Sequence, residues 1–180
     1  MPPIRRCITN PIATDLAVDR ILLLHAFMLT VIGIPLLYLG DEIAQLNDYT
    51  YADDPELAGD NRWVHRPPFS WETLAASEHG GGPSGRILTG IRRLIAGRAG
   101  LDALGGEDPL PHVIPMDAPE LIAFDRLADQ QRFRGVFNFS ERSVAVSIDD
   151  TGWDTVFAQS RTDAGLGPYG CVWMVRSRPE

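Results

Sequence analysis

The chain has no lysine. All 16 basic residues are arginine, and 24 acidic residues outnumber them, so the formal net charge is −8 over 180 residues. Acidic proteins of this kind bind nucleic acids and anionic membrane surfaces poorly. We therefore expect neither partner. Apolar residues make up 44% of the chain and charged residues 22%, which is typical of a globular protein with a core.

Cysteine is scarce as well. Cys7 and Cys171 stand near opposite ends of the chain, with no CxxC pair and no spacing typical of metal ligands. They predict two unpaired thiols in a reducing compartment, and hence a cytoplasmic protein without a disulfide framework. The chain also lacks a P-loop, an HExxH motif and a nucleophile elbow. We therefore expect no metal and no cofactor.

No secretory signal is evident, and one apolar run needs to be weighed as a membrane span. Residues 21–39 are long enough to cross a bilayer. Gly33 and Pro35 interrupt the run, however, and the acidic pair Asp41 and Glu42 follows it directly. We therefore favour a buried helix followed by a short buried strand, with no membrane as a partner.

The first hundred residues read as a helix, a strand and a second helix. Asn10 or Thr14 can cap the first helix, which should be buried nearly all round and end at Gly33. Residues 36–39 are apolar without alternation, which indicates a strand buried on both faces of a parallel sheet. Ser84 can open the second helix. This order is typical of a barrel or a doubly wound sheet.

Between the strand and the second helix, residues 47–84 form a long irregular segment rich in Asp, Trp and Pro. Loops of this length are usually functional or disordered, and the aromatic content favours an ordered one. After a linker at residues 101–111 the pattern changes to short strands that predict an antiparallel sandwich. The predicted strands are residues 112–115, 121–125, 133–139, 143–148, 155–159 and 171–176.

Two groups of residues are candidates for chemistry. Asp41 and Glu42 follow the predicted strand, where a barrel carries its catalytic groups, although they could equally cap a helix or bind loop backbone. Asp60, Arg62 and His65 lie beside Trp63 in one short stretch. Carboxylates and planar donors bind sugar hydroxyls, and aromatic faces stack on sugar rings. The alternative is a rigid surface loop with internal salt bridges.

These motifs resemble glycoside hydrolase family 13, the α-amylase family. Residues 33–42, GIPLLYLGDE, resemble the last strand of its (β/α)₈ barrel, and residues 88–98 resemble the last barrel helix. Residues 136–141 resemble part of the family's C-terminal β-sandwich. Residues 46–48 and 60–68, LND and DNRWVHRPP, are closer to the family's amylosucrase-type members.

The resemblance implies that the chain is a C-terminal portion of such an enzyme. Residues 1–100 would be the end of the catalytic barrel with its long eighth loop, and residues 101–180 a small antiparallel β-sandwich. The family's three catalytic carboxylates follow earlier barrel strands, so no catalytic residue is expected here and the chain alone should be inactive. Asp41 and Glu42 match a structural motif of the family.

The implied reaction is retaining transfer of glucose from sucrose to an α-glucan, without metal or cofactor. Arg62 matches an arginine that closes the bottom of the sucrose pocket by pairing with a carboxylate, which would lie upstream. Asp60 and His65 match substrate-loop positions without an assigned role. The implied partners are sucrose, α-glucan and the missing N-terminal part of the barrel. Alternatives are a hydrolase or trehalose-forming isomerase of the same family, or a non-catalytic carbohydrate-binding or assembly module.

A lone barrel strand with its flanking helices cannot bury its apolar faces without neighbours. We therefore expect several apolar side chains to be more exposed than they would be in a closed barrel. These side chains are Leu22, Phe27, Ile32, Leu36 and Leu37.

Overall fold

The computed structural model describes residues 10–105 and 110–177. Four helices are present in this part of the chain: α1 (Pro11–Met28), α2 (Trp71–Ser77), α3 (Gly82–Ala99) and α4 (Asp102–Gly105). Short 3-10 turns cover Asp41–Ile43, Thr50–Asp53 and Asn61–His65. The strands are β1 (His112–Ile114), β2 (Leu121–Leu127), β3 (Gln131–Asn138), β4 (Val144–Ala145), β5 (Asp154–Thr162) and β6 (Gly165–Ser177). Cys7 lies outside the described residues, and Cys171 is a buried free thiol.

The chain divides into two compact units with other bounds than the expected domains. The first unit comprises residues 1–35 and 90–180, and the second comprises residues 36–89. The first unit therefore contains α1, most of α3, α4 and the whole sheet. The second unit is one continuous segment, and both of its ends continue into the first.

Helix α1 begins where the sequence predicts and ends earlier. Asn10 is the N-cap, and its side chain accepts hydrogen bonds from the backbone N–H groups of Ile12 (3.1 Å) and Ala13 (3.3 Å). The helix ends at Met28 instead of continuing to Gly33. The Thr30 hydroxyl donates back to the carbonyl of Phe27 at 2.8 Å, which turns the chain out of the helix.

Two arginines bind the carbonyls at the end of α1. Arg98 of α3 donates to the carbonyl of Leu29 and, at 3.1 Å, to that of Leu104. Arg126 of β2 donates to the carbonyl of Thr30 at 3.1 Å and is only 3% exposed. The last carbonyls of a helix have no partner within the helix and carry partial negative charge. The two guanidinium groups therefore connect α1 to α3 and to the sheet.

The predicted antiparallel β module is confirmed. All six strands lie in one hydrogen-bonded antiparallel sheet with the order β1-β2-β3-β6-β4, and β5 also pairs with β6. Strand β6 is the longest and pairs with β3, β4 and β5. Two register shifts interrupt the β5–β6 pairing, as at bulges, which bend and twist a strand.

The sheet carries an apolar cluster on each face, since neighbouring residues of a strand alternate between faces. Phe133, Phe137 and Trp173 belong to the cluster that also contains Leu23, Ala26 and Leu29 of α1 and its C-terminal end. Val172 and Met174, on the opposite face of β6, belong to the second cluster with Trp153.

The first cluster is centred on aromatic rings. Phe27 of α1 makes T-shaped contacts with Phe124, Phe137 and Phe139, with ring centroids 6.1, 5.3 and 5.2 Å apart. Helix α3 approaches α1 at Gly90, where a Cβ atom would lie 2.5 Å from Cδ2 of Leu22. Glycine at this position allows the close approach of the two helices.

Residues 36–39 do not form the buried strand that their apolar run predicts. They have no strand pairing within the described residues, and Leu36 is 76% exposed. A parallel strand needs neighbours to satisfy its N–H and C=O groups, and this segment has none beside it. Ile32 is also exposed, as expected, while Phe27 and Leu37 are half-buried. Leu22 is buried, contrary to expectation, because α1 packs against α3.

The segment at residues 47–84 is ordered, as its aromatic content indicates, and it is more regular than predicted. It contains α2 and two 3-10 turns. Ser70 is the N-cap of α2, and its hydroxyl oxygen accepts from the backbone N–H of Thr73 at 3.2 Å. Phe69 and Trp71 flank this cap with their ring centroids 4.8 Å apart. Among the described helices, none is both long and apolar enough to cross a membrane.

Replacing Phe27 with alanine tests the aromatic centre of the first unit. We expect Phe27→Ala to lower the free energy of unfolding by about 2–3 kcal/mol, since three ring contacts and much apolar area are lost. Ile12→Ala on the same helix is the control, because Ile12 is 72% exposed and should cost less than about 0.5 kcal/mol. Urea unfolding measures both, and equal losses would contradict the proposed packing.

Candidate functional site

A cleft of about 450 Å³ lies within the second unit and contains most of the polar residues singled out from the sequence. It is formed by the segment that follows the apolar run and by the Asn61–His65 turn with the residues after it. Its lining residues are Tyr38, Leu39, Gly40, Asp41, Gln45, Leu46, Asn47, Arg62, His65, Arg66 and Pro67. Arg62 and His65 thus share one cleft with Asp41.

One wall of the cleft is a tight turn at residues 40–45. Gly40 has φ of 104°, and Ala44 has φ of 53°, a left-handed conformation that is uncommon for residues other than glycine. The Glu42 carboxylate accepts a hydrogen bond from the backbone N–H of Gly40 at 2.8 Å. Gln45 N–H donates to the Gly40 carbonyl at 2.9 Å. Glu42 therefore has a structural role here, whereas Asp41 lines the cleft.

Gln45 joins this turn to the opposite side of the second unit. Its side-chain nitrogen donates to the carbonyl of Pro68 at 2.8 Å, and its oxygen accepts from the backbone N–H of Ser70 at 3.2 Å. The amide group thereby fixes the approach to helix α2. Gln45 is not predicted from the sequence, because its partners are more than twenty residues away and no local pattern marks it.

Asp60 and Arg62 form a local pair at the opposite wall. Asp60 caps the Asn61–His65 turn, with Oδ1 accepting from the backbone N–H of Arg62 at 3.0 Å. The Arg62 guanidinium donates to both carboxylate oxygens, from Nε at 2.8 and 2.9 Å and from Nη2 at 2.7 Å. The Arg62 side chain is 70% exposed. Asp60 is therefore engaged with Arg62 and is not among the residues lining the cleft.

His65 and Asn47 connect the two walls. The His65 Nδ1 atom lies 3.1 Å from Oδ1 of Asn47, and the backbone N–H of Asp48 donates to the Val64 carbonyl at 3.0 Å. Behind them, the Arg66 guanidinium lies 5.9 Å from the centre of the Trp63 ring. These contacts bring together residues 46–48 and 60–68, the two stretches that the sequence resemblance singled out.

The cleft is lined by groups that can bind a polar ligand. Its lining offers a tyrosine hydroxyl, amides, an imidazole and two guanidinium groups, which can bind hydroxyl groups of a polar ligand. Glycosidic cleavage needs two carboxyl groups flanking the scissile bond, and the lining includes one, Asp41. Among the described residues, no group of three His, Cys, Asp or Glu side chains could bind a metal ion.

The pairing of Asp60 with Arg62 shifts the pKa of both side chains. Hydrogen bonds from the Arg62 side chain and then from its backbone lower the pKa of Asp60 from 3.8 to about 2, and the same pairing raises the pKa of Arg62. A lowered carboxyl pKa means that the pair contributes to loop stability above about pH 4. That contribution is lost as the pH falls through about 2.

Carbon NMR of the Asp60 carboxyl group measures this shift. We expect a midpoint near 2 in the native chain, and a higher midpoint, still below 3.8, after Arg62→Gln removes the guanidinium donors and leaves the backbone N–H in place. Arg66→Gln is the control, since Arg66 contributes least to the shift. An Asp60 midpoint unaffected by Arg62→Gln would show that the pair does not form in solution.

The fold of this chain is similar to that of three solved structures. Isomaltulose synthase from Klebsiella sp. LX3 superposes with a TM-score of 0.61 at 20% identity, over 88% of this chain and 38% of that one. Trehalulose synthase from Pseudomonas mesoacidophila MX-45 gives 0.66 at 20%, over 88% and 38%. Trehalose-6-phosphate hydrolase from Bacillus licheniformis gives 0.61 at 16%, over 89% and 39%. No protein-family profile matches the sequence.

These structural neighbours are enzymes of the α-amylase family, and this chain spans less than two fifths of the length of each. Identities of 16–20% establish the fold and not the activity. The predicted fold class is thereby confirmed. The chain has the fold of the C-terminal region of α-amylase-family enzymes, the end of a (β/α)₈ barrel followed by an antiparallel β module.

Proposed function

We propose that this chain is the C-terminal portion of a retaining α-glucosyltransferase of the α-amylase family, which transfers glucose from sucrose to an α-glucan. In this proposal residues 1–100 complete the catalytic barrel and residues 101–180 form its C-terminal β domain. The observation that carries the proposal is the cleft. It places Arg62 and His65 of the amylosucrase-like loop beside the turn at the end of the GIPLLYLGDE segment.

The proposed reaction divides its chemistry between this chain and the rest of the barrel. A carboxylate upstream attacks the glucosyl carbon of sucrose, fructose leaves, and the covalent glucosyl-enzyme passes glucose to a glucan or to water. This chain would supply binding groups alone. The cleft fits that role, because Asp41 is its single lining carboxylate.

Arg62 is the residue we assign to substrate binding with most support. Its Nε and Nη2 atoms are engaged by Asp60, which fixes the side chain and balances its charge. Its Nη1 atom makes no hydrogen bond within the described part of the chain and remains available to a sugar hydroxyl or to a carboxylate of the missing barrel. We assign Asp60 to positioning Arg62, and His65 to binding substrate from its contact with Asn47.

The missing barrel is also the proposed partner of the exposed apolar residues. Ile34 is 97% exposed and Leu36 76% exposed, in a segment whose backbone has no strand pairing. A neighbouring barrel strand would cover these side chains and satisfy that backbone. The free thiol of Cys171, with its pKa raised by burial to about 12, fits the reducing cytoplasm that we propose for the enzyme.

The structural neighbours support two alternatives within the same family. Two are named as synthases of isomaltulose and trehalulose, and one as a trehalose-6-phosphate hydrolase. An isomerase or a hydrolase would use the same barrel end with a different product. A non-catalytic carbohydrate-binding module is the remaining alternative. The residue pattern at 60–68 favours the amylosucrase-type activity among them.

The proposal predicts that this chain alone and a complete enzyme differ in their activity on sucrose. The isolated chain should release no fructose from sucrose, because it lacks the catalytic carboxylates. A protein translated from an in-frame barrel sequence upstream of Met1 together with this chain should release fructose and form α-glucan. Chromatography of the products decides: isomaltulose, trehalulose or trehalose would support an isomerase, and steady fructose release by the isolated chain would refute the division of roles.

In the complete enzyme, Arg62→Ala should lower kcat/KM for sucrose by at least about tenfold, as expected for losing a charged hydrogen-bond donor. Arg142→Gln is the matched control, since Arg142 lies in the β domain and pairs with Glu120. Its sucrose kinetics should be unchanged. A normal kcat/KM in Arg62→Ala would remove Arg62 from the proposed site.

A further inference from the structure

Three arginines surround the indole of Trp153 on one face of the sheet. The guanidinium carbons of Arg134 and Arg176 each lie 4.6 Å from the ring centre, and that of Arg132 lies 6.0 Å away. Arg132 and Arg176 are direct partners across the β3–β6 pairing, and Arg134 is two residues along β3 on the same face. Trp153, only 9% exposed, thus stacks with three cations.

A single buried carboxylate faces this group. Asp125 of β2 is 2% exposed and accepts from Nε of Arg134 at 2.8 Å and from Nε of Arg132 at 2.9 Å. Both of its oxygens are used by these two side chains. The side chain of Arg176 contacts the Trp153 ring and makes no hydrogen bond or ion pair to any described residue. Three guanidinium groups therefore share one directly bound carboxylate.

Within residues 10–105 and 110–177, the other nearby carboxylates do not cancel this surplus. Asp154 pairs in register with Val175, which packs into the cluster on the opposite face of the sheet, so it lies away from the three arginines. Asp150 is paired with Arg161. Asp149 is bonded to Thr151, which chiefly lowers its pKa, and Arg134 and Arg176 lower it further. With Asp149 counted, the positive charges of the described groups still exceed the negative ones by one.

We propose that the Arg132–Arg134–Arg176 cluster is a binding site for a small phosphate-type dianion, such as a phosphate monoester. Guanidinium groups bind phosphate through parallel N–H donors, and stacking on an indole fixes their planes before the ligand arrives. The Arg176 guanidinium, which makes no ion pair with a described residue, supplies donors for the ligand, and the surplus positive charge attracts an anion. The site lies in the β module and is independent of the sugar cleft in residues 36–89.

Isothermal titration calorimetry of the full chain with inorganic phosphate tests this site. The measurement is made at about pH 8, where phosphate is mostly dianionic, and in about 0.1 M chloride to screen unspecific attraction. We expect saturable binding of one phosphate per chain. Arg176→Gln should weaken it at least about tenfold, and Arg176→Lys should weaken it too, because lysine lacks the planar fork.

Arg142→Gln is the matched control, because it removes one positive charge from the same module at a side chain that is 73% exposed. Its phosphate affinity should equal that of the native chain. Circular dichroism of each variant establishes that it is folded. The absence of saturable binding to the native chain, or equal weakening by Arg176→Gln and Arg142→Gln, would overturn the proposal.

Discussion

The first compact unit depends on the hydrogen bonds that two arginines donate to carbonyls at the C-terminal end of helix α1. Arg98 and Arg126 bring a guanidinium from α3 and one from β2 to the carbonyls of Leu29 and Thr30. Burial lowers the pKa of Arg98, and the like charge of Arg126 lowers it further, so their meeting has an energetic cost. The carbonyl dipoles at the helix end offset that cost, and each carbonyl gains a partner that the helix itself lacks.

This joint explains how helices of a barrel type share a core with a β module. With its C-terminal end fixed, α1 places Leu23 and Phe27 against the aromatic rings of β2 and β3. The cleft in residues 36–89 is built differently, from polar contacts such as those of Gln45 and of Asn47 with His65. Exposed hydrogen bonds of this kind open more readily than an apolar core, as suits a segment that we propose to bind substrate.

The sequence predicts the helices and strands of this fold better than it predicts how they pair and pack against one another. Alternation and turn residues place β1, β2, β3 and β5 close to their observed bounds, and Asn10 marks the start of α1. Strand β4 is shorter than predicted, Val144–Ala145 instead of residues 143–148, and β6 begins at Gly165 instead of residue 171. The strand expected at residues 36–39 is not formed, because no strand lies beside it to pair with. An apolar run in the sequence does not reveal whether such pairing neighbours exist. The cleft was predicted in part, since Arg62 and His65 line it and are close in sequence, whereas Asp60 lies outside the lining and pairs with Arg62. Three features depend on distant partners and leave no local pattern: the contacts of Gln45, the two arginines that bind the end of α1, and the cluster around Trp153.

Because the arginine contacts join them, α1 and the β module should open together. Native-state hydrogen exchange of the 180-residue chain tests this most directly. We expect the amides of Leu23 and Ala26 in α1 to exchange with the same opening free energy as that of Val172 in β6, within about 1 kcal/mol. Exchange of the α1 amides at a clearly lower free energy, while Val172 stays protected, would contradict it.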